Sequence, residues 1–144
     1  MQIRIANRQD EKEIRELAEA FSKEENASFD LKGKDSDLVN VEANYFGRNG
    51  VFLVVEDDGK IKGFAGAREN RKDGDVLVIE RLRVAELDEG DEAASELMRV
   101  FREFAPRMLY KSIECGVDLE EGLLSKCGFK KDCERPSLKV AADF

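Results

Sequence analysis

The sequence predicts a mixed α/β domain in which helices cover both faces of a twisted, mixed sheet. Three apolar segments separated by tight-turn signals follow one another between residues 51 and 84, as antiparallel strands do. Segments with apolar residues at helical spacing lie on both sides of that run. A later strand–helix–strand order indicates parallel pairing, because parallel strands need a crossover. The predicted order is β α α β β β α β α β β.

The first two helices are predicted from caps and apolar stripes. Gln2–Ala6 alternates as a short strand, and Asn7 then caps a helix, with Asp10 completing part of a capping box. Lys23–Lys34 is polar and is predicted to be a loop. A second helix follows the cap at Asp35 and Ser36 and ends at Asn49-Gly50. The apolar faces of the two helices comprise Ile14, Leu17, Ala18 and Phe21, and then Leu38, Val41, Tyr45 and Phe46.

The three central strands are bounded by turn residues. Asp57-Asp58-Gly59-Lys60 is a hairpin turn, and a second turn covers Asn70–Asp75. The strands are therefore predicted at Val51–Val55, Ile61–Arg68 and Val76–Val84. Arg68 and Glu69 are expected to be surface charges.

The remaining elements follow the third strand. A helix is expected to turn seven residues inward and to stop at Pro106; they are Ala93, Ala94, Leu97, Met98, Val100, Phe101 and Phe104. Leu109–Cys115 is predicted as a strand, and Asp118 caps a short helix that ends at Gly128. Phe129–Cys133 and Ser137–Ala141 are predicted as a final pair of strands.

Length and cysteine content limit the class of protein. The 144 residues match one domain, 1-144, large enough for a core without disulfides or metal. Three cysteines without a C-x-x-C spacing favour reduced thiols in the cytoplasm over zinc or disulfides. The chain has no His, so no His-based metal site or catalytic triad is expected. No secretory leader or membrane span is expected either.

The charge pattern excludes one class of partner. The net charge is −8, and Lys and Arg are scattered without a basic stripe, which argues against nucleic-acid binding. The acidic balance either attracts a cationic partner, such as an amine or a Lys-rich segment, or only aids solubility.

Two segments carry a resemblance to a known family. The first is Ile79-Glu80-Arg81-Leu82-Arg83-Val84 running into Glu86–Met98, and the second is Leu123-Leu124-Ser125-Lys126-Cys127-Gly128-Phe129-Lys130. Together with the element order, they resemble the GNAT superfamily of N-acetyltransferases. The resemblance implies acetyl-CoA as co-substrate, a small-molecule or peptide amine as acceptor, and frequent homodimerisation.

The resemblance also implies a site for coenzyme A. In the family, a strand splayed from its neighbour pairs with the pantetheine arm, and a turn and helix N-terminus bind the pyrophosphate. The corresponding strand residues here are Leu82, Arg83 and Val84. The corresponding turn and helix residues are Glu89, Gly90, Asp91, Glu92, Ala93, Ala94 and Ser95.

The turn departs from the family pattern Gln/Arg-x-x-Gly-x-Gly/Ala. Glu89 replaces the Gln/Arg, Glu92 replaces the first glycine, and Ala94 matches the last position, while Gly90 is retained. Five of the seven residues from 86 to 92 are acidic. These carboxylates either repel the phosphates of coenzyme A or cap the helix amides in their place.

The short helix departs as well. Leu124 stands where some family members carry a Tyr general acid, and Val117 stands where an Asn is often found. A water molecule, Ser125 or Cys127 is left to protonate the departing thiolate.

Glu80 is the best candidate for a chemical group. By strict alternation it shares a face with Val76, Val78, Leu82 and Val84, where burial would raise its pKa and suit it to act as a general base. The competing interpretation is an ion pair with Arg81, Arg83 or another Arg across the sheet.

Three functions follow. The first is an N-acetyltransferase that uses acetyl-CoA and an amine, with Glu80 as base. The second is a non-catalytic GNAT-fold binding or regulatory module that has lost coenzyme A binding. The third is a transferase of another acyl group on the same scaffold.

Overall fold

Six strands form one sheet, in which each strand pairs with the next along the chain. The computed structural model describes residues 1–85, 90–117 and 137–140, with the side chains of Gly90 and Asp91 left out. The strands are β1 Gln2–Ile5, β2 Val51–Asp57, β3 Lys60–Glu69, β4 Val76–Val84, β5 Ser112–Cys115 and β6 Ser137–Lys139. All pairs are antiparallel except β4 with β5, which is parallel. The predicted mixed sheet is confirmed.

The first helix, α1 Glu11–Glu24, follows a single 3₁₀ turn at Arg8–Asp10. The predicted capping box is complete, since Asn7 Oδ1 accepts from the Gln9 amide at 2.9 Å and Asp10 Oδ2 accepts from the Asn7 amide at 2.8 Å. The face that carries Ile14, Ala18 and Phe21 is buried, as its spacing predicts.

The predicted second helix is wrong as a continuous element. Only Val41–Asn44, called α2, is α-helical, and single 3₁₀ turns at Ser36–Leu38 and Phe46–Arg48 flank it. The break lies at Asn40, whose side chain accepts from the Ala43 amide at 3.0 Å and starts a new helix. Leu38, Val41 and Tyr45 are still buried.

The long helix, α3 Gly90–Arg107, carries Pro106 inside its last turn rather than ending before it. A proline there removes one N–H near the helix end. The predicted inward residues Ala93, Ala94, Leu97, Met98 and Phe101 are buried, while Val100 and Phe104 are half-buried.

The strand after α3 begins later than predicted. Leu109 has a positive φ of 66° and the Tyr110 amide donates to the Ala105 carbonyl at 2.9 Å, so these residues close the end of the helix. β5 therefore begins at Ser112. The predicted helix from Asp118 to Gly128 and the strand at Phe129–Cys133 lie outside the described residues.

The core has two layers, one on each face of the sheet. The first packs α3 against β2–β5 and includes Leu77, Ile79 and Leu97. The second packs α1 and α2 against β2 and β3 and includes Ile14, Tyr45 and Phe52. Within the described ranges, no helix is long and apolar enough to cross a membrane.

Gly66 on β3 is enclosed by aromatic rings in the second layer. A Cβ there would lie 2.6 Å from Phe52 Cδ2 and 2.7 Å from Tyr45 Cε1. Gly66→Ala is therefore expected to lower the free energy of unfolding by about 2 kcal/mol, because buried rings must move. Gly47→Ala is the control, since its Cβ would meet only the Glu42 carbonyl at 3.6 Å. Urea unfolding measures both, and equal stability of the two variants contradicts the prediction.

Candidate active site

β4 separates from β5 halfway along its length. The parallel ladder runs from Val76 opposite Ser112 to Ile79 opposite Cys115, and the Gly116 amide still donates to the Ile79 carbonyl at 2.9 Å. β4 continues to Val84, and none of the described residues pairs with its edge beyond Ile79. The backbone of Leu82, Arg83 and Val84 thus borders an open edge, as expected for a strand that receives an extended ligand.

A β-bulge lies where β4 leaves β5. Gly66 faces Arg81 and Ala67 faces Ile79, so Glu80 is an extra residue without a partner on β3. The extra residue shifts the alternation of side chains along β4.

The bulge corrects the predicted surroundings of Glu80. Leu82 and Val84 pack with Ile79 against the α3 layer, whereas Glu80 and Arg81 point to the opposite face. Strict alternation wrongly placed Glu80 on one face with Leu82 and Val84. The Glu80 side chain is 38% exposed and is not enclosed by apolar residues.

Glu80 forms an ion pair across the sheet. Its Oε1 lies 3.8 Å from Arg68 Nε, which is the cross-sheet partner that the competing interpretation allowed. Arg68 is only 16% exposed, so its interpretation as a surface charge is wrong. Its guanidinium lies 5.1 Å from the centre of the Tyr45 ring and donates to the Asn44 carbonyl at 3.2 Å. These contacts fix the cation beside Glu80.

Arg81 and Arg83 pair with other acids. Arg81 donates from Nη2 to Asp37 Oδ1 at 2.7 Å and to Asp35 Oδ1 at 3.0 Å, and Asp37 also accepts from the Tyr45 hydroxyl at 2.6 Å. Arg83 lies over Phe21 and reaches Glu24 and Glu25 at the end of α1. The four residues Arg81, Asp35, Asp37 and Tyr45 tie the α1–α2 connection to β4, and the sequence pattern did not indicate them.

The charged network shifts the pKa values of its members. Burial raises the pKa of Asp35, but hydrogen bonds from the Asp30 amide, Lys34 and Arg81 outweigh burial and hold the pKa below its ordinary value. Burial and the adjacent Asp37 carboxylate raise the pKa of Tyr45 far above the usual range. Tyr45 therefore donates a structural hydrogen bond.

Two cavities meet at Glu80 and Arg68. The smaller, about 270 Å³, is lined by the Arg81 network together with Lys34. The larger, about 620 Å³, extends from Glu80 over Val78 to the turn between β3 and β4. Glu80 thus lies between an open strand edge on one side and a sizeable polar cavity on the other.

The N-terminal end of α3 follows the open edge of β4. The helix begins at Gly90, Ala93 and Ala94 are buried, and Glu92 is exposed. The Ser95 hydroxyl is buried without a hydrogen-bond partner among the described residues. Glu89 and the side chain of Asp91 lie outside the described part of the chain, so the contacts of the acidic turn stay a prediction.

This chain is similar to proteins of one known family. Residues 13–129 match the model of the Acetyltransferase (GNAT) family. A GNAT acetyltransferase structure from Staphylococcus aureus superposes with a TM-score of 0.81 at 18% identity, covering 97% of this chain and 99% of that one. A search of curated protein sequences gives no match.

Two further solved structures are similar to this chain. A GNAT acetyltransferase from Brucella melitensis in complex with acetyl-CoA has a TM-score of 0.74 at 20% identity, with 99% and 90% coverage of this chain and that one. An aminoglycoside 6'-N-acetyltransferase from Enterococcus faecium has a TM-score of 0.71 at 12% identity, with 100% and 99% coverage. At such identities these structures establish the fold alone, whereas the family match covers most of the chain. The chain belongs to the GNAT acetyltransferase family.

Proposed function

We propose that this protein is an N-acetyltransferase that transfers an acetyl group from acetyl-CoA to an amine. The observation that carries the proposal is the edge of β4 beyond Ile79, with which none of the described residues pairs, next to a cavity of about 620 Å³ that the bulge residue Glu80 lines. The Brucella melitensis relative, which was solved with acetyl-CoA, supports the same co-substrate.

The residues of this chain fit coenzyme A. On the side away from β3, the backbone of Leu82, Arg83 and Val84 pairs with none of the described residues and offers groups for the pantetheine amides. The amides from Gly90 to Ser95 open α3, where the helix dipole favours the pyrophosphate. The buried Ser95 hydroxyl still has a hydrogen bond to give.

Glu80 handles the proton of the acceptor. When bound, acetyl-CoA supplies an activated thioester carbonyl. The Glu80 carboxylate accepts a proton from the ammonium form of the acceptor, and the resulting neutral amine attacks the thioester carbonyl. As the N–C bond forms and the C–S bond breaks, the nitrogen loses its second proton to solvent water, and solvent water protonates the released thiolate. The Arg68 guanidinium, held over Tyr45, positions that carboxylate. No step requires an oxidant, a reductant or a metal.

A cytoplasmic location and a homodimer belong to the same proposal. Three cysteines without a C-x-x-C spacing suit a reducing compartment. Light scattering after size exclusion measures the number of chains per particle.

Isothermal titration with acetyl-CoA tests the proposal. A Kd of about 10 µM is expected to raise the free energy of unfolding by about 2.7 kcal/mol at 1 mM ligand. Acetylation of a mixture of primary amines, followed by thiol release, tests the chemistry. The absence of both heat and thermal stabilisation at 1 mM contradicts the proposal.

The non-catalytic module is the second candidate, and the acidic run from residue 86 to 92 favours it. Glu89→Arg combined with Glu92→Gly separates the two candidates. If only the double variant binds acetyl-CoA, the module is supported; tight binding by the unmodified protein rejects it. Acyl donors of increasing length, compared in the same assay, separate an acetyltransferase from a transferase of longer acyl groups.

A further inference from the structure

The larger cavity has two chemically different ends. One end is Glu80, at the bulge where β4 leaves β5. The other end is the turn between β3 and β4, which contributes Arg71 and Lys72, and Arg48 reaches the same end from the turn before β2. The cavity therefore extends away from α3 and from the predicted pyrophosphate site.

The cavity is richer in cations than the molecule as a whole. Four cations line it, against three carboxylates, although the whole chain has a net charge of −8. The cations are Arg48, Arg68, Arg71 and Lys72, and the carboxylates are Glu69, Glu80 and Glu114. The local excess of positive charge favours an anionic group of a ligand.

The cations at the far end have few partners in the described structure. Arg48 is half-buried and donates to the backbone carbonyl of Glu69 at 3.3 Å. Among the described residues, the exposed side chains of Arg71 and Lys72 form no ion pair. Burial lowers the pKa of Arg48, the guanidinium groups of Arg68 and Arg71 lower it further, and the carboxylates of Glu80 and Glu69 offset only part of this effect. An added negative charge at this end would relieve that repulsion.

The distance between the two ends sets the size of the ligand. Glu69 on β3 faces Leu77 on β4, three residues before Glu80. At about 3.3 Å per residue, the ends lie roughly 10 Å apart. A volume of about 620 Å³ lies within the usual range for small-molecule sites.

We infer that the acceptor of the proposed acetyltransferase carries an anionic group, a carboxylate or a phosphate, in addition to its amine. The amine lies at Glu80, and the anionic group lies at the end of the cavity formed by Arg48, Arg71 and Lys72. This inference rests on the proposed function for the identity of the reaction. The inference depends on the cavity lining, which carries one more cation than carboxylates, whereas the whole chain has a net negative charge.

Three acceptors with an unbranched aminoalkyl chain separate the possibilities: 6-aminohexanoate, 6-aminohexyl phosphate and the neutral 6-aminohexanamide. The kcat/KM for at least one anionic acceptor is expected to exceed that for the amide at least tenfold, because charge-assisted hydrogen bonds are roughly twice as strong as neutral ones. The better of the two anions identifies the group. Equal or higher kcat/KM for the amide overturns the inference.

Substitutions of Arg48 and Arg71 test whether the anionic group of the acceptor binds at that end of the cavity. Arg48→Gln combined with Arg71→Gln is expected to raise the KM for the anionic acceptor at least tenfold, with the KM for the amide and the Kd for acetyl-CoA unchanged. Arg102→Gln on the exposed face of α3 is the matched control, since it removes one Arg far from the cavity. An unchanged anion preference in the double variant overturns the inference.

Binding of the acceptor measured without acetyl-CoA tests the inference independently of the proposed reaction. Titration of 6-aminohexanoate and 6-aminohexyl phosphate without acetyl-CoA should give heat with the unmodified protein and at least tenfold weaker binding with the double variant. Failure of acetyl-CoA to bind rejects the proposed reaction, but leaves this measurement of the cavity intact. Normal acetyl-CoA binding, with no binding or no preference for the anionic acceptors, rejects only the inference.

Discussion

Glu80→Gln is expected to lower kcat by about 10²- to 10⁴-fold while the Kd for acetyl-CoA stays unchanged. The carboxylate lies at the bulge where the open edge of β4 begins, and it borders both cavities. An amide of the same shape cannot accept the proton that the amine must lose. Initial rates of thiol release measure kcat, and titration measures Kd.

Raising the pH should restore the rate of the Glu80→Gln variant. Primary amines are deprotonated near pH 10, so the rate of the variant should rise about tenfold per pH unit below that value, because the acceptor then reaches the site without its extra proton. Glu103→Gln on α3 is the control, since that carboxylate is exposed and pairs only with Arg99 in the described structure. A Glu80→Gln enzyme with unaltered kcat at pH 7 removes Glu80 from the mechanism.

The strands could be predicted because their signals are local. β4 begins and ends where its apolar run and its flanking turn predict, at Val76 and Val84. The hairpin turn before β3 is also marked locally, since Asp58 and Gly59 have positive φ values of 51° and 74°. Such features depend on a few neighbouring residues and not on the rest of the fold.

The position of Glu80 depended on a feature that no local pattern contains. A bulge is a mismatch between two strands, so it requires the pairing of β3 with β4 to be known. Strict alternation therefore gave the wrong neighbours beyond Ile79. The ion-pair interpretation is confirmed, because Arg68 lies opposite Val78 and Glu80 follows Val78 by two residues, so Arg68 and Glu80 share a face with or without the bulge.

The Arg81 network could not be predicted because its members are distant in sequence. Arg81 lies 44 residues from Asp37 and 46 from Asp35. Single charged residues in a chain with 39% charged residues resemble solvent-exposed groups. Only the packing of the α1–α2 connection against β4 excludes water from these charges.

Arg81→Ala is expected to lower the free energy of unfolding by about 3 kcal/mol, because it removes the cation that two buried carboxylates share, although Asp35 keeps its ion pair with Lys34. The side chains of Asp35 and Asp37 are 4% and 11% exposed, and that of Arg81 is 20% exposed. For a chain of this length the melting temperature should fall by roughly 10 °C. Thermal and urea unfolding followed by circular dichroism measure the change.

Two further variants separate a buried network from a surface ion pair. Arg99 also contacts two carboxylates, Glu96 and Glu103, but its side chain is 52% exposed, so Arg99→Ala should leave the free energy of unfolding nearly unchanged. Arg81→Met with Asp35→Asn and Asp37→Asn should recover at least half of the loss, since uncharged groups of similar volume need no cation. Equal losses for Arg81→Ala and Arg99→Ala contradict the prediction.

The stability lost in Arg81→Ala should be smaller in acid than at neutral pH. The pKa of Asp35 is lower in the folded chain than its ordinary value of 3.8, so its contribution to stability is present above about pH 4 and is lost as the pH falls through the folded pKa. Once Asp35 is protonated, one of the two buried anions that require the guanidinium is gone, while Asp37 still pairs with Arg81. The unfolding free energies of the unmodified protein and of Arg81→Ala should therefore differ less below pH 4 than between pH 5 and 8. A constant difference down to pH 3 would instead mean that Arg81 stabilises the fold through the packing of its stem against its neighbours.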